Sequence, residues 1–400
     1  MRNAVGNHLS ATTGITTAAL ISAKAAVRFL VPVGLVAVLV LAACTPAAPP
    51  AERAVNFGFE DVAVPGKDWG ALNQKLQEVR ANSVGIAVGR PDWTGFVWAG
   101  HSEQQSSQVR SSRGEDFVWK ALEGVGTAPD GSKRKTTLVV DALVPGMIAE
   151  DSSLAGQDVQ GKRSADFASV AALEHGAVGE HLVALVGDVA ARYKPDAVSL
   201  TELMFDDSTF GDADADSYRN FSGQDDWPRN SDGSINTNDP SIGKWRSAVL
   251  AKLVARARDA AGKSGVKLLM DVRSPNSGAG AATNADLGGD RKDSGQDYNQ
   301  LLKSSDGLVV WDYFGLNGGD PGDSKDLAAK LVQRDPGRIS QSIGLWADEN
   351  SGDKSGTVSA TDLKTALKAA AEGGARSVSV TPASKLSDQH WQAIKEAWTR

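Results

Sequence analysis

Residues 196–216, DAVSLTELMFDDSTFGDADAD, change character half-way along. Ala197, Val198, Ser199 and Leu200 form a short, mostly apolar run that reads as a buried strand. Carboxylates then follow in quick succession: Glu202, Asp206, Asp207, Asp212, Asp214 and Asp216. A buried strand that delivers acids at its C-terminal end is the arrangement of an active site on a parallel α/β sheet or barrel.

On both sides of this stretch the chain repeats one unit: an amphipathic helix, a short apolar strand, then a polar loop. Strands are expected at 84–88, 137–142, 167–173, 197–201, 266–272, 308–313, 339–346 and 377–381. Helices are expected between them, such as 69–81 with Leu72, Leu76 and Val79 on one face. Eight strands alternating with helices are the mark of parallel βαβ units. Within residues 57–400 they predict a (β/α)8 TIM barrel with long βα loops. A doubly wound open sheet is the competitor, but no GxGxxG or P-loop follows the first strand.

The first 43 residues stand apart. They contain no acid, and Arg2, Lys24 and Arg28 precede an apolar run at 29–43. That run falls short of the roughly 20 residues of a spanning helix and reads as the h-region of a secretory signal. It ends in Leu41-Ala42-Ala43-Cys44, which resembles a bacterial lipobox, and Cys44 is the single cysteine of the chain. The expected organisation is a signal peptide at 1–43, a linker at 44–56 after a lipidated Cys44, and the barrel. The mature chain is then anchored to the outer face of the cell membrane and is expected to be monomeric. Its fold carries no disulfide. Removing the three leader cations takes the charge from 42 − 49 to 39 − 49, or −10, which argues against a nucleic-acid partner.

In a barrel, function belongs to the loops after the strands. Acids and aromatics recur there. The first expected strand leads to Asp92, Trp93 and Trp98, and the second carries Asp141. The fourth ends at Glu202, with Asp206 and Asp207 beyond it. The fifth carries Asp271 and Arg273, the sixth Trp311, Asp312 and Tyr313, and the seventh Trp346. Cleavage of a glycosidic bond needs one carboxylic acid to protonate the leaving oxygen and one carboxylate to attack or activate water. Sugar faces stack on aromatic rings, and their hydroxyls bond carboxylates and guanidinium groups. No GxSxG or HExxH occurs, and the five histidines lack metal-ligand spacing.

Each acid also has a structural reading, as a cap on the next helix or a partner of loop amides. Trp311 alternates with Asp312, so one of the two faces the barrel interior and the other the helices. Trp69, Trp119, Trp245, Trp391 and Trp398 lie on helices and are expected in the core. No cofactor is expected, although two segments carry partial calcium-ligand patterns. They are the D-x-D-x-D run Asp212, Asp214, Asp216 and the loop 351–362. The long segment 210–243, with Tyr218, Phe221 and Trp227, reads as a loop packed over the site.

The segment Ala191-Arg192-Tyr193-Lys194-Pro195-Asp196-Ala197-Val198-Ser199-Leu200-Thr201-Glu202, followed by an Asp-rich loop, Trp245-Arg246 and a long helix, carries a family resemblance. It is similar to the glycoside-hydrolase-like TIM-barrel families. These include the lipoproteins related to family 10 and the barrel domain of poly-N-acetylglucosamine-processing enzymes. The resemblance implies binding or hydrolysis of an envelope or extracellular polysaccharide. Where those families place adjacent acids at the end of strand four, this chain has Thr201-Glu202, with Asp206-Asp207 a few residues later. Glu202 fills the acid position, or the pair has moved into the loop, or the activity is lost and a sugar-binding groove remains. Glu202 is thus the candidate general acid or base, with Asp207, Asp271 or Asp312 as its partner. The alternative is a non-catalytic carbohydrate-binding or scaffold lipoprotein on the same barrel.

Overall fold

Along several strands of the barrel the two faces differ in character. Val198 and Leu200, Leu268, Met270 and Val272, Leu308 and Val310, and Val378 and Val380 are all buried, pointing outward beneath the helices. Their neighbours Thr201, Asp271, Arg273, Trp311, Ser342 and Thr381 line a cavity inside the barrel. Period-two alternation sends one apolar face to the helical layer and leaves the other for polar groups. The main apolar core therefore sits between sheet and helices.

The computed structural model describes residues 47–205, 207–274, 291–348 and 356–399. Eight parallel strands form the barrel: β1 (Glu52–Phe57), β2 (Ser83–Arg90), β3 (Lys135–Asp141), β4 (Ala197–Thr201), β5 (Lys267–Arg273), β6 (Gly307–Asp312), β7 (Ile339–Gly344) and β8 (Ser377–Thr381). Each pairs with the next, and β1 pairs with both β2 and β8, which closes the sheet. A principal helix follows each strand: α1 (Trp69–Glu78), α2 (Phe117–Val125), α3 (Ala177–Tyr193), α4 (Pro240–Gly262), α5 (Tyr298–Ser304), α6 (Ser324–Arg334), α7 (Ala360–Glu372) and α8 (Asp388–Trp398). The fold is a (β/α)8 barrel with enlarged βα loops.

The expected strand count of eight is right, but two members change. β1 occupies residues read from the sequence as linker: in ERAVNF, Val55 and Phe57 are buried, and both sides of the strand are paired. The expected strand at 167–173 is no barrel strand. Arg163–Ala168 pairs antiparallel with Ala155–Gln157 in a separate ribbon, and Val170–Glu174 is a helix. The two errors cancel in the count.

Three further expectations change. Trp119 is exposed on α2, at 48 %. Asp212, Asp214 and Asp216 lie on a helix, Asp212–Ser222, so they form no EF-hand loop. Asp214 is fully buried and accepts the Ala171 N–H at 3.0 Å. Tyr218 and Trp227 stack at 4.6 Å and pack on Trp245 of α4; no residue of 210–243 lines the barrel cavity. Cys44, the leader, Asp206 and part of the loop 351–362 lie outside the described residues. Among the described residues no three acids, histidines or cysteines gather to hold a metal, and no helix is long and apolar enough to cross a membrane.

Candidate active site

The strand register gathers several candidate side chains at one level. Asp141 of β3 lies beside Thr201 of β4, Arg273 of β5 beside Trp311 of β6, and Trp311 beside Ser342 of β7. With Glu202 and Asp271 these residues line a cavity of about 460 Å³ at the C-terminal mouth of the barrel. Asn56, Phe59 and Glu60 complete its rim from the β1 side.

Glu202 is the first residue past β4, and its φ is 55°. A side chain in the left-handed region is strained by about 1–2 kcal/mol, and such strain clusters at functional sites. The residues after it hold it there. Leu203, Met204 and Phe205 are buried, the Leu203 carbonyl accepts the Gln296 amide at 3.3 Å, and Phe205 N–H donates to the Ser294 carbonyl at 2.8 Å.

Asp271 projects from β5 into the same cavity. It accepts hydrogen bonds from the Ser199 and Thr201 hydroxyls, and the Trp311 indole N–H lies 3.5 Å away. Burial pushes its carboxyl up to about 6, although these donors favour the charged form. Asp141 behaves alike: burial raises it to about 6 against a 2.7 Å bond from the Leu143 N–H and the nearby Arg90. Burial, and then the charges of Asp271 and Glu202, hold the Tyr313 phenol well above its usual range, so it stays a neutral donor.

The aromatics form a stack. Trp311 and Tyr313 lie parallel, 4° apart with centroids at 5.0 Å, and Trp346 tilts against Tyr313 at 5.2 Å. Gly344 makes room: a Cβ there would stand 2.3 Å from the Tyr313 ring. Tyr313 is thus packed against both indoles in the wall of the cavity.

Other candidates lie elsewhere. Asp312 faces the helices, buried, with its carboxylate bonded to Ser324 Oγ and to Gln341 Nε2 at 2.7 Å. Asp92 pairs with Arg90 at 2.7 Å and accepts the Gly146 N–H at the start of the helix Pro145–Glu150. Trp98 is buried, and its indole N–H donates to Asp188 of α3 at 2.7 Å. Trp93 meets Phe59 edge-on at 5.2 Å, behind the rim. Asp207 is exposed and lines no part of the cavity. Sequence reasoning missed Asn56, Phe59, Glu60, Ser199 and Thr201. The run Phe57-Gly58-Phe59-Glu60, an aromatic and an acid just past an apolar residue, is the signal that could have found Phe59 and Glu60.

No protein-family model matches the chain, and no curated protein matches its sequence. Solved structures do match. The glycoside hydrolase domain of PgaB (BpsB) from Bordetella bronchiseptica superposes with a TM-score of 0.63 at 13 % identity, over 87 % of this chain and 99 % of that one. The shared fold is a (β/α)8 barrel. The catalytic domain of β-amylase from Paenibacillus polymyxa gives 0.56 at 13 % identity, over 88 % and 98 %. α-L-Fucosidase isoenzyme 2 from Paenibacillus thiaminolyticus gives 0.55 at 13 %, over 87 % of this chain but 48 % of its own, so this chain spans about half its length. At such identities the likeness is one of fold, and chemistry must be argued from the site.

Proposed function

We propose that the protein is a glycoside hydrolase acting on an envelope or extracellular polysaccharide, with Glu202 and Asp271 as its two carboxylates. The observation that carries this reading is their common cavity, where both charges bear on the Tyr313 hydroxyl. Asp271, held protonated to about pH 6, gives its proton to the leaving oxygen. Glu202 attacks the sugar or activates water. Arg273 and Asp141 bond substrate hydroxyls, Trp346 offers a half-buried ring to a sugar face, and the Tyr313 hydroxyl donates a hydrogen bond. The same reading has the mature chain exported as a monomer, tethered to the outer membrane face by a lipid on Cys44, with no nucleic-acid partner. Mass spectrometry of the membrane-extracted chain checks the lipid.

The test is reducing-end release beside binding to a glycan array, for the wild type, Glu202→Gln and Asp271→Asn. Each variant is expected to keep binding and to lose about 10²–10⁴-fold in rate. The wild-type rate is expected to fall as pH rises through about 6, as Asp271 loses its proton. Binding with no release by the wild type would assign the groove to a carbohydrate-binding scaffold instead.

A further inference from the structure

The end of the barrel opposite the cavity has its own chemistry. The strands begin there, linked in register: Glu52 N–H bonds the Arg376 carbonyl, Lys135 N–H the Asn82 carbonyl, and Leu308 N–H the Arg338 carbonyl. A depression of about 450 Å³ opens among them, lined by three cations (Lys133, Lys135 and Arg376) and one acid, Glu52. Glu52 is already bonded to Lys135 at 2.7 Å. Lys133 and Arg376 are exposed and make no ion pair among the described residues. The cavity mouth has the reverse balance: Glu60, Asp141, Glu202 and Asp271 against Arg273 alone.

The rim around the depression extends the positive charge. Arg53, Arg80, Lys194 and Lys267 stand at or just before strand starts. The acids among them are engaged: Asp196 accepts the Thr136 N–H, Asp306 the Leu268 N–H, Asp335 pairs with Arg338, and Asp130 bonds Ser132 and Gln77. In a chain of net charge −7, a face on which cations outnumber acids is a segregated field.

We propose that this N-terminal end of the barrel docks on anionic phospholipid and holds the cavity mouth turned away from the membrane. Clustered Lys and Arg are drawn to anionic leaflets within a Debye length, roughly 10 Å. The position of β1 favours lipid over other polyanions. Residues 45–51 between Cys44 and Glu52 span at most about 25 Å, so a lipid on Cys44 would keep this end near the bilayer. The orientation, unlike the binding, rests on the reading of Cys44 as lipidated.

Residues 46–400 form one compact unit containing the whole barrel and serve for the binding test. That chain is expected to co-sediment with phosphatidylcholine vesicles only when phosphatidylglycerol is added, and to be released by salt. Lys133→Ala with Arg376→Ala is expected to lower the partition about thirtyfold, with Lys162→Ala as the unchanged control and melting temperatures equal. Equal binding to both vesicle types, or an unaffected double variant, would overturn the proposal. Tighter binding to immobilised polyphosphate than to vesicles would assign the face to an anionic wall polymer and overturn it too. Because Cys44 is absent, this arm is decided separately from lipidation and from sugar cleavage. For orientation, the lipid-bearing chain in phosphatidylglycerol vesicles is expected to protect Lys133 and Lys135 from amine labelling while Lys162 reacts; the opposite pattern would overturn it.

Discussion

The two ends of this barrel share the same eight strands and the same register, yet they treat charge in opposite ways. At the C-terminal mouth, acids outnumber cations and are held at a cost. Asp141 and Asp271 are pushed up to about 6 by burial, and Glu202 sits in a left-handed backbone. At the N-terminal end, cations outnumber acids, and each acid has a partner, as in Glu52–Lys135 and Asp335–Arg338. One end keeps groups poised and unrelaxed, as reacting groups must be; the other is an ordinary, solvated, charged surface. On the proposed reading, separating them by the length of the strands lets one fold support chemistry and attachment without conflict.

The largest expected effect that sharpens this contrast is Asp271→Asn. It is expected to remove about 10²–10⁴ of the release rate, whereas Lys133→Ala at the other end leaves kcat/KM unchanged. Comparable losses from both would break the distinction. Next comes Asp312, at the mouth end but on the outer face of β6. Asp312→Ala leaves Gln341 and Ser324 without their buried acceptor and is expected to cost about 2–4 kcal/mol by urea unfolding. Activity per folded molecule should not change, since the carboxylate never reaches the cavity.

Asp141 gives an effect of opposite sign. Its folded-state value, about 6, lies above the ordinary 3.8. Below about pH 3.8 both states are protonated and burial carries no penalty. As pH rises through 3.8 to 6, the unfolded chain ionises first and stability is lost. The gap corresponds to about 3 kcal/mol above pH 6. Asp141→Asn is expected to recover much of that at pH 7.5 and nothing at pH 3.5, measured by chemical denaturation. A gain that does not vary with pH would mean that burial is not the cause.

Most of the barrel was legible because β4, β5 and β8 keep a period-two alternation of apolar against polar residues and β6 is a short apolar run between turn signals. β1 was not, because ERAVNF follows an Ala/Pro run and has only two strongly apolar residues; its pairing on both sides, not its composition, makes it a strand. At the mouth, strand-end position alone found Glu202, Asp141, Asp271 and Arg273. It could not decide between Trp311 and Asp312, which face opposite sides by one step of the pleat. Nor could it see that Asp92 meets a helix start 54 residues away, or that Trp98 turns back to α3. Those outcomes depend on contacts between distant segments, which no local pattern encodes.

The smallest effect probes the quiet end most directly. Glu52 and Lys135 are partly solvated, with side-chain exposures of 30 % and 64 %, so their 2.7 Å pair is screened by water. Glu52→Gln is expected to change stability by less than about 1 kcal/mol. The substitution also removes the one acid lining the depression and frees Lys135 from its partner. Partitioning onto phosphatidylglycerol vesicles should therefore rise, by about fivefold for the single charge, while the release rate stays level. A gain in membrane binding from deleting an ion pair separates a docking surface from a structural one, because a pair kept for stability would lose stability and gain nothing.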